Sequence, residues 1–219
     1  MDRYGSSYSH NDSGHACTGN RRIRFSRIGN YECSKLNTVT LPTTLTHIGG
    51  GAFGRCTALE TITLPNGLIQ IEERAFFGCT ALTSINLPES LMSIGYHVFS
   101  ESGLTSITWP GSVKVIHYGM FERTPLRTVV ILKGVTEIQQ NAFSALFYPN
   151  PTMTSVTLPS TITVIGPEAF EGQSNLTTIT IPDTVRHIRF DATNAFSGCT
   201  SLTLASQAAL SRVGYTGGF

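Results

Sequence analysis

One phrase returns along this chain at near-constant spacing. A chain that repeats itself in this way buries its apolar residues by stacking each unit on the next. AFGRCTALETITLPNGLIQI, from Ala52, comes back as AFFGCTALTSINLPESLMSI from Ala75. Looser copies follow: VFSESGLTSITWPGSVKVI, AFEGQSNLTTITIPDTVRHI and AFSGCTSLTL. Three columns test the register independently. Phe53, Phe76, Phe99, Phe121, Phe143, Phe170 and Phe196 lie 23, 23, 22, 22, 27 and 26 residues apart. Pro42, Pro65, Pro88, Pro110, Pro159 and Pro182 form a second column, with Leu132 where one proline is missing. Ile28, Ile48, Ile71, Ile94, Ile116, Ile138, Ile165 and Ile188 form a third. Composition alone does not place three columns in one register.

Each unit explains itself physically. In T-I-T-L, apolar residues alternate with hydroxylated ones, the pattern of a half-buried strand. Ile62 and Leu64 are expected to point in, Thr61 and Thr63 out. The following proline has no N–H to donate and ends strand pairing. Leu68 and Ile71 predict a short second strand or turn on the opposite side. The Ala-Phe pair then turns the corner, with the ring filling the interior. Strands stacked at ~4.8 Å would make seven units a sheet roughly 30 Å long.

The consensus A-F-x-G-C-x-x-L-T-S-I-T-L-P-x-S-L-x-x-I-G resembles the BspA-like branch of leucine-rich repeats over about residues 28–204. The resemblance implies a mainly β, right-handed leucine-rich-repeat solenoid. Its parts would be a parallel sheet, short second strands or turns opposite, and a short C-terminal capping helix. The resemblance also implies a surface or secreted adhesion or interaction protein, and it carries no catalytic residue. Residues 1–20 read as a flexible N-terminal arm, 21–204 as a solenoid of about seven repeats, and 205–219 as a C-terminal cap. The segment RRIRFSRI, 21–28, is expected to pair with or cover the first strand. Ser206 is expected to cap a helix from Gln207 to Val213, with Gly214 as its stop. Three units depart from the pattern. The first is shortened and lacks the Ala-Phe corner, the fifth carries an insertion around Leu146 to Pro151, and the last has extra residues before its Phe.

Charge and motifs exclude several functions. The formal net charge is +1, which gives no reason to expect a nucleic-acid partner. No apolar run is long enough for direct membrane insertion. The N-terminus has no apolar core and so reads as no signal peptide, which leans towards the cytoplasm, whereas the resemblance points to the cell surface or secretion. The cysteines number five, an odd count without a C-x-x-C pair. Cys33, Cys56, Cys79 and Cys199 each precede the strand's first Leu by three residues, which reads as a column of buried thiols; Cys17 lies off it. The histidines, His10, His15, His47, His97, His117 and His187, show no ligand spacing. There is no G-x-S-x-G, H-E-x-x-H or G-x-x-x-x-G-K. No cofactor, metal or catalytic residue is therefore expected. Trp109 shares the column of Leu64 and Leu87 and reads as core.

Two surfaces remain for partners. The outward strand positions are Thr38/Thr40, Thr61/Thr63, Ser84/Asn86, Ser106/Thr108, Thr128/Val130, Ser155/Thr157 and Thr178/Thr180. They read either as plain sheet formers or as a recognition face. The inserted loop places Leu146, Phe147 and Tyr148 beside prolines, which fits an aromatic anchor or a ring packed back onto its own loop. Arg21, Arg22, Arg24 and Arg27 make a basic N-terminal edge. The expectation is a non-catalytic protein-binding or scaffolding module that presents the Ser/Thr-rich sheet and the loop to another protein. The alternatives are a structural subunit of a larger complex, and a surface adhesin or carbohydrate- or ice-surface binder using the Thr ladder.

Overall fold

The computed structural model describes residues 35–146 and 151–219, together with the backbone of Arg22–Ile23. The described chain winds into a parallel β-solenoid of about six turns. In chain order its strands are β1 (Arg22–Ile23), β2 (Thr38–Thr40), β3 (His47–Ile48), β4 (Thr61–Thr63), β5 (Gln70–Ile71), β6 (Ser93–Ile94) and β7 (Ser106–Trp109). They continue with β8 (Val115–Ile116), β9 (Thr128–Ile131), β10 (Glu137–Ile138), β11 (Ser155–Thr157), β12 (Val164–Ile165), β13 (Thr178–Thr180) and β14 (Arg189–Phe190). A nine-residue helix, α1 (Leu204–Arg212), follows.

Each T-I-T phrase contributes to one ladder and each x-I pair to another. β2 pairs with β4, and β7, β9, β11 and β13 pair in sequence order, all parallel. The second ladder runs β1-β3-β5-β6 and then β8-β10-β12-β14, also parallel. The alternation in the sequence becomes alternation in burial: Thr61 and Thr63 are exposed around buried Ile62, and Thr178 and Thr180 around buried Ile179. Register is in step, with Thr38 opposite Thr61 and Ser155 opposite both Thr128 and Thr178. A one-residue slip would turn the apolar set outward, so burial itself holds the register.

The Phe column is the axis of the core. Seven rings stack face to face from Phe53 to Phe196, with centroids 5.0–5.7 Å apart and planes within 11° of parallel. Each ring is 3% exposed or less. Burying one such side chain contributes about 1.5–3 kcal/mol, and no single turn could bury it alone. The backbone follows the rings: the Phe53 N–H donates to Ala75 O at 2.8 Å, and Phe76, Phe99, Phe121, Phe143 and Phe170 repeat the bond to the next turn. Trp109 is fully buried, edge-on to Phe121, and its Nε1–H donates to Val113 O.

Four details depart from the sequence reading. Ile188 does not continue the Ile column, because Phe190 stands opposite Ile165. Two additional residues separate Val185 from Phe190 compared with Ile162 and Ile165, and the chain accommodates them by burying Ile188 separately. At the other end Ile23, not Ile28, pairs with Ile48. Residues 84–87 form no strand although they match the phrase, and none of their backbone groups takes part in a backbone hydrogen bond. Asn86 stands there where other turns carry Thr or Val, which favour strands.

The fourth departure is the helix. It starts at Leu204 rather than Gln207, and its cap is Thr203, whose Oγ1 accepts the Ser206 N–H. Leu204 falls in the outward column of Thr61 and Thr178 and is 83% exposed, whereas Ala205, at the position of the buried strand residue in earlier turns, is exposed because the chain is helical there. Ser206 lies inside the helix and is buried, because its hydroxyl closes the edge of the sheet at β13.

Candidate functional site

Most of the Ser/Thr hydroxyls just before the strands are committed to the fold. Thr80, Thr105, Thr136, Thr154, Thr163 and Thr177 each donate to a backbone carbonyl one turn back, at 3.0–3.4 Å. The strands' outward hydroxyls differ. Thr61, Thr63, Ser84, Ser106, Thr108 and Thr128 are exposed, and their hydroxyls make no hydrogen bond within the described chain. Ser155, Thr157 and Val130 stand half-buried in the same rows. Asn86 is exposed beside Ser84.

These rows are not one uninterrupted sheet. The last backbone bond between the third and fourth turns before the rows diverge is Thr105 N–H to Thr83 O, at 3.1 Å. Beyond it, 84–87 lie between β4 and β7 without pairing to either. A cleft of about 410 Å³ opens there, lined by Ser84, Asn86, Glu89, Ser106, Thr108 and Leu132, among others. Leu132 stands here in place of the column's proline. The sheet face thus combines unbonded side-chain hydroxyls with free backbone donors and acceptors.

The second expected surface is described only in part. Leu146 is 54% exposed, and its N–H donates to Ser144 Oγ. Phe147 and Tyr148 lie outside the described residues, as do Cys17, Cys33 and the side chains of the basic N-terminal edge.

Cys56, Cys79 and Cys199 are buried, as their column predicts. The Cys79 and Cys199 thiols donate to the Phe53 and Phe170 carbonyls, at 3.1 and 3.2 Å. Burial pushes the Cys199 thiol up to about 12. Glu171 is raised first by burial and then by Glu168 nearby. Among the described residues, no three His, Cys, Asp or Glu side chains converge as metal ligands. No helix of the described chain is long and apolar enough to cross a membrane.

The structure also assembles residues that the sequence reading left scattered. Tyr96 packs on His117 with ring centroids 4.9 Å apart, and His97 meets Tyr118 edge-on at 5.2 Å. The signal was present in the column two residues after the conserved Ile position: Gly50, Glu73, Tyr96, Tyr118, Gln140 and Pro167. The fold does not demand an aromatic there, so two in adjacent turns stand out from the repeat.

The family model described as the BspA type leucine-rich repeat region matches residues 27–147 and 144–213, in six copies. Among solved structures, the chain is similar to a leucine-rich repeat protein of T. pallidum, at 31% identity and a TM-score of 0.58, over 86% of this chain and 75% of that one. A leucine-rich repeat protein of Eubacterium ventriosum matches at 25% identity and a TM-score of 0.65, over 76% of this chain. This chain spans 44% of that protein's length. No curated protein matches the sequence. From the six repeat copies and the stacked turns that they form, the chain belongs to the BspA-type leucine-rich repeat family.

Proposed function

We propose that this protein is a non-catalytic binding module that holds an extended segment of another protein against its Ser/Thr-rich sheet face. Repeats of this family generally serve in protein interaction or at surfaces. The observation that carries the reading is the division of labour among the hydroxyls. Those beside the strands clamp one turn to the next, whereas the hydroxyls of Thr61, Thr63, Ser106, Thr108 and Thr128 are exposed and make no hydrogen bond within the described chain. Hydroxyls both donate and accept, so a row of them can follow the alternating N–H and C=O groups of a partner's backbone. The cleft over 84–87 adds main-chain groups that an extended peptide can engage as an added strand does. Exposed Leu146 offers a second, apolar contact.

Selection from a random-peptide display library on the immobilised protein tests this reading. Selected peptides are expected to lose binding to Ser106→Arg/Thr128→Arg, a change on exposed positions; the two arginines stand on paired residues, so circular dichroism and thermal unfolding check that the variant folds. If no peptide is enriched, or if enriched peptides bind the double variant as well as the parent, the sheet face is not the site.

A further inference from the structure

A second surface, separate from the sheet face, has its own chemistry. After the second strands, at the corner leading to the buried Phe column, the rings of Tyr96 and His117 pack together, as do those of His97 and Tyr118. Both tyrosines remain open to solvent, at 47% and 42% exposure. The positions they occupy hold Gly50, Glu73, Gln140 and Pro167 in other turns, so packing of the repeat does not account for them.

Beside Tyr118 lies a shallow cleft of about 280 Å³, lined also by Glu137, Gln139, Gln140, Pro167 and Asp191. Its polar side chains are already held in place. Gln139 Nε2 donates to Glu137 Oε1 at 3.1 Å, and Gln139 Oε1 accepts from His117 Nδ1–H at 3.0 Å. Gln140 donates to Glu168 at 3.1 Å, and Asp191 accepts from Arg189 at 2.9 Å. Fixed side chains of this kind lose little entropy when a ligand arrives.

We infer that this corner binds a neutral sugar chain, with one ring in the cleft against Tyr118 and the chain running on past Tyr96. The chemistry matches on each side. A pyranose has a face of C–H groups that stacks on an aromatic ring, and a rim of hydroxyls that both donate and accept. Tyr118 and Tyr96 offer rings with polar tips. Glu137 and Asp191 accept, and the Gln139 and Gln140 amides both donate and accept. At about 280 Å³ the cleft lies just below the usual range of whole-ligand sites, about 300–1,000 Å³, which suits one ring of a longer chain. Glu137, Asp191 and Glu168 disfavour an acidic ligand. Four of the side chains around Tyr118 and Pro167 are polar or acidic, Glu137, Gln139, Gln140 and Asp191, which disfavours a wholly greasy one.

The experiment uses the full chain on an array of neutral oligosaccharides built from glucose, galactose, mannose and N-acetylglucosamine, followed by calorimetry on those that bind. At least one is expected to bind the parent, and Tyr96→Ala/Tyr118→Ala is expected to weaken it roughly tenfold or more. Gln140→Ala, at an exposed lining position, gives a second reading should the tyrosine variant fold poorly. Ser106→Arg/Thr128→Arg is expected to bind the sugar as the parent does, which separates this site from the sheet face. The inference is overturned if no neutral oligosaccharide binds, or if binding is unchanged in both corner variants. It is also overturned if oligolysine alone binds with the same dependence on the tyrosines; the corner is then a site for basic peptides.

Discussion

Ser206 Oγ sits 3.0 Å from the Ile179 N–H, from which it accepts, and donates to Thr177 O at 3.0 Å. Those are groups that a further strand would have bonded. One hydroxyl on a helix therefore does for the edge of β13 what another turn would have done. Open sheet edges invite pairing with other chains, and covering them is a recurrent solution. Ser206→Ala leaves the Ile179 N–H without its partner at a buried place, while Thr177 O keeps the Thr203 N–H at 3.1 Å. The expected cost is about 1–3 kcal/mol, read as a lower urea midpoint with an unchanged slope. An unchanged midpoint would mean that water replaces the hydroxyl at no cost.

Tyr215 closes the end of the Phe column in a similar manner. The Phe196 N–H, which in every earlier described turn would find the next turn's carbonyl, donates instead to Tyr215 Oη at 3.2 Å. The phenol in turn donates to Thr193 O at 2.8 Å, and the ring meets Phe196 edge-on at 5.2 Å. The two contributions separate by mutation. Tyr215→Phe keeps the ring and is expected to lose about 1–3 kcal/mol, whereas Tyr215→Ala is expected to lose about 3–5 kcal/mol. Equal effects in chemical denaturation would show that the hydroxyl does no capping.

Alkaline pH is expected to destabilise the fold through Cys199. Burial raises its thiol to about 12, whereas in the unfolded chain it titrates at the ordinary thiol value. The folded form therefore keeps a proton that the unfolded form gives up. Its contribution is complete below the ordinary thiol value and is lost as pH rises from there towards about 12. Tyr215, also raised by burial, acts in the same sense at higher pH. Urea midpoints compared at neutral and alkaline pH should fall less for Cys199→Ser than for the parent. Parallel declines would remove Cys199 from the account.

Two glycines are expected to respond differently to alanine. At Gly103 a Cβ would strike the Thr80 carbonyl. This is the turn in which the spacing from Phe99 to Leu104 is one residue shorter than from Phe76 to Leu82. Gly103→Ala must push the third and fourth turns apart, at about 1–3 kcal/mol. At Gly51, φ is +63° and nothing lies within 4 Å of a Cβ. Gly51→Ala is expected to cost about 1–2 kcal/mol, from backbone strain alone. Thermal unfolding of both, with amide exchange at Thr105, locates the difference: only Gly103→Ala should speed exchange there.

The Phe, Cys and Trp109 positions were legible in the sequence, because each follows from a column and a column must be buried in a stacked repeat. The outward rows were legible for the same reason, since a strand alternates with a period of two. What the columns could not show was which hydroxyls are used up. Thr177 and Thr178 look alike in sequence, yet Thr177 donates to the Thr154 carbonyl whereas Thr178 has only a long contact with Thr177.

By itself, the sequence determined the repeat, its family and its core, because these rest on periodicity, which is local and redundant over many turns. Only the tertiary structure decided how the repeat ends and where it opens. Ser206 and Tyr215 act as surrogate backbone, Phe190 replaces Ile188 in the ladder, and 84–87 leave the sheet. Tyr96 and His117 join into one aromatic corner. Each depends on contacts between residues in different turns, and a period cannot specify contacts that occur only once.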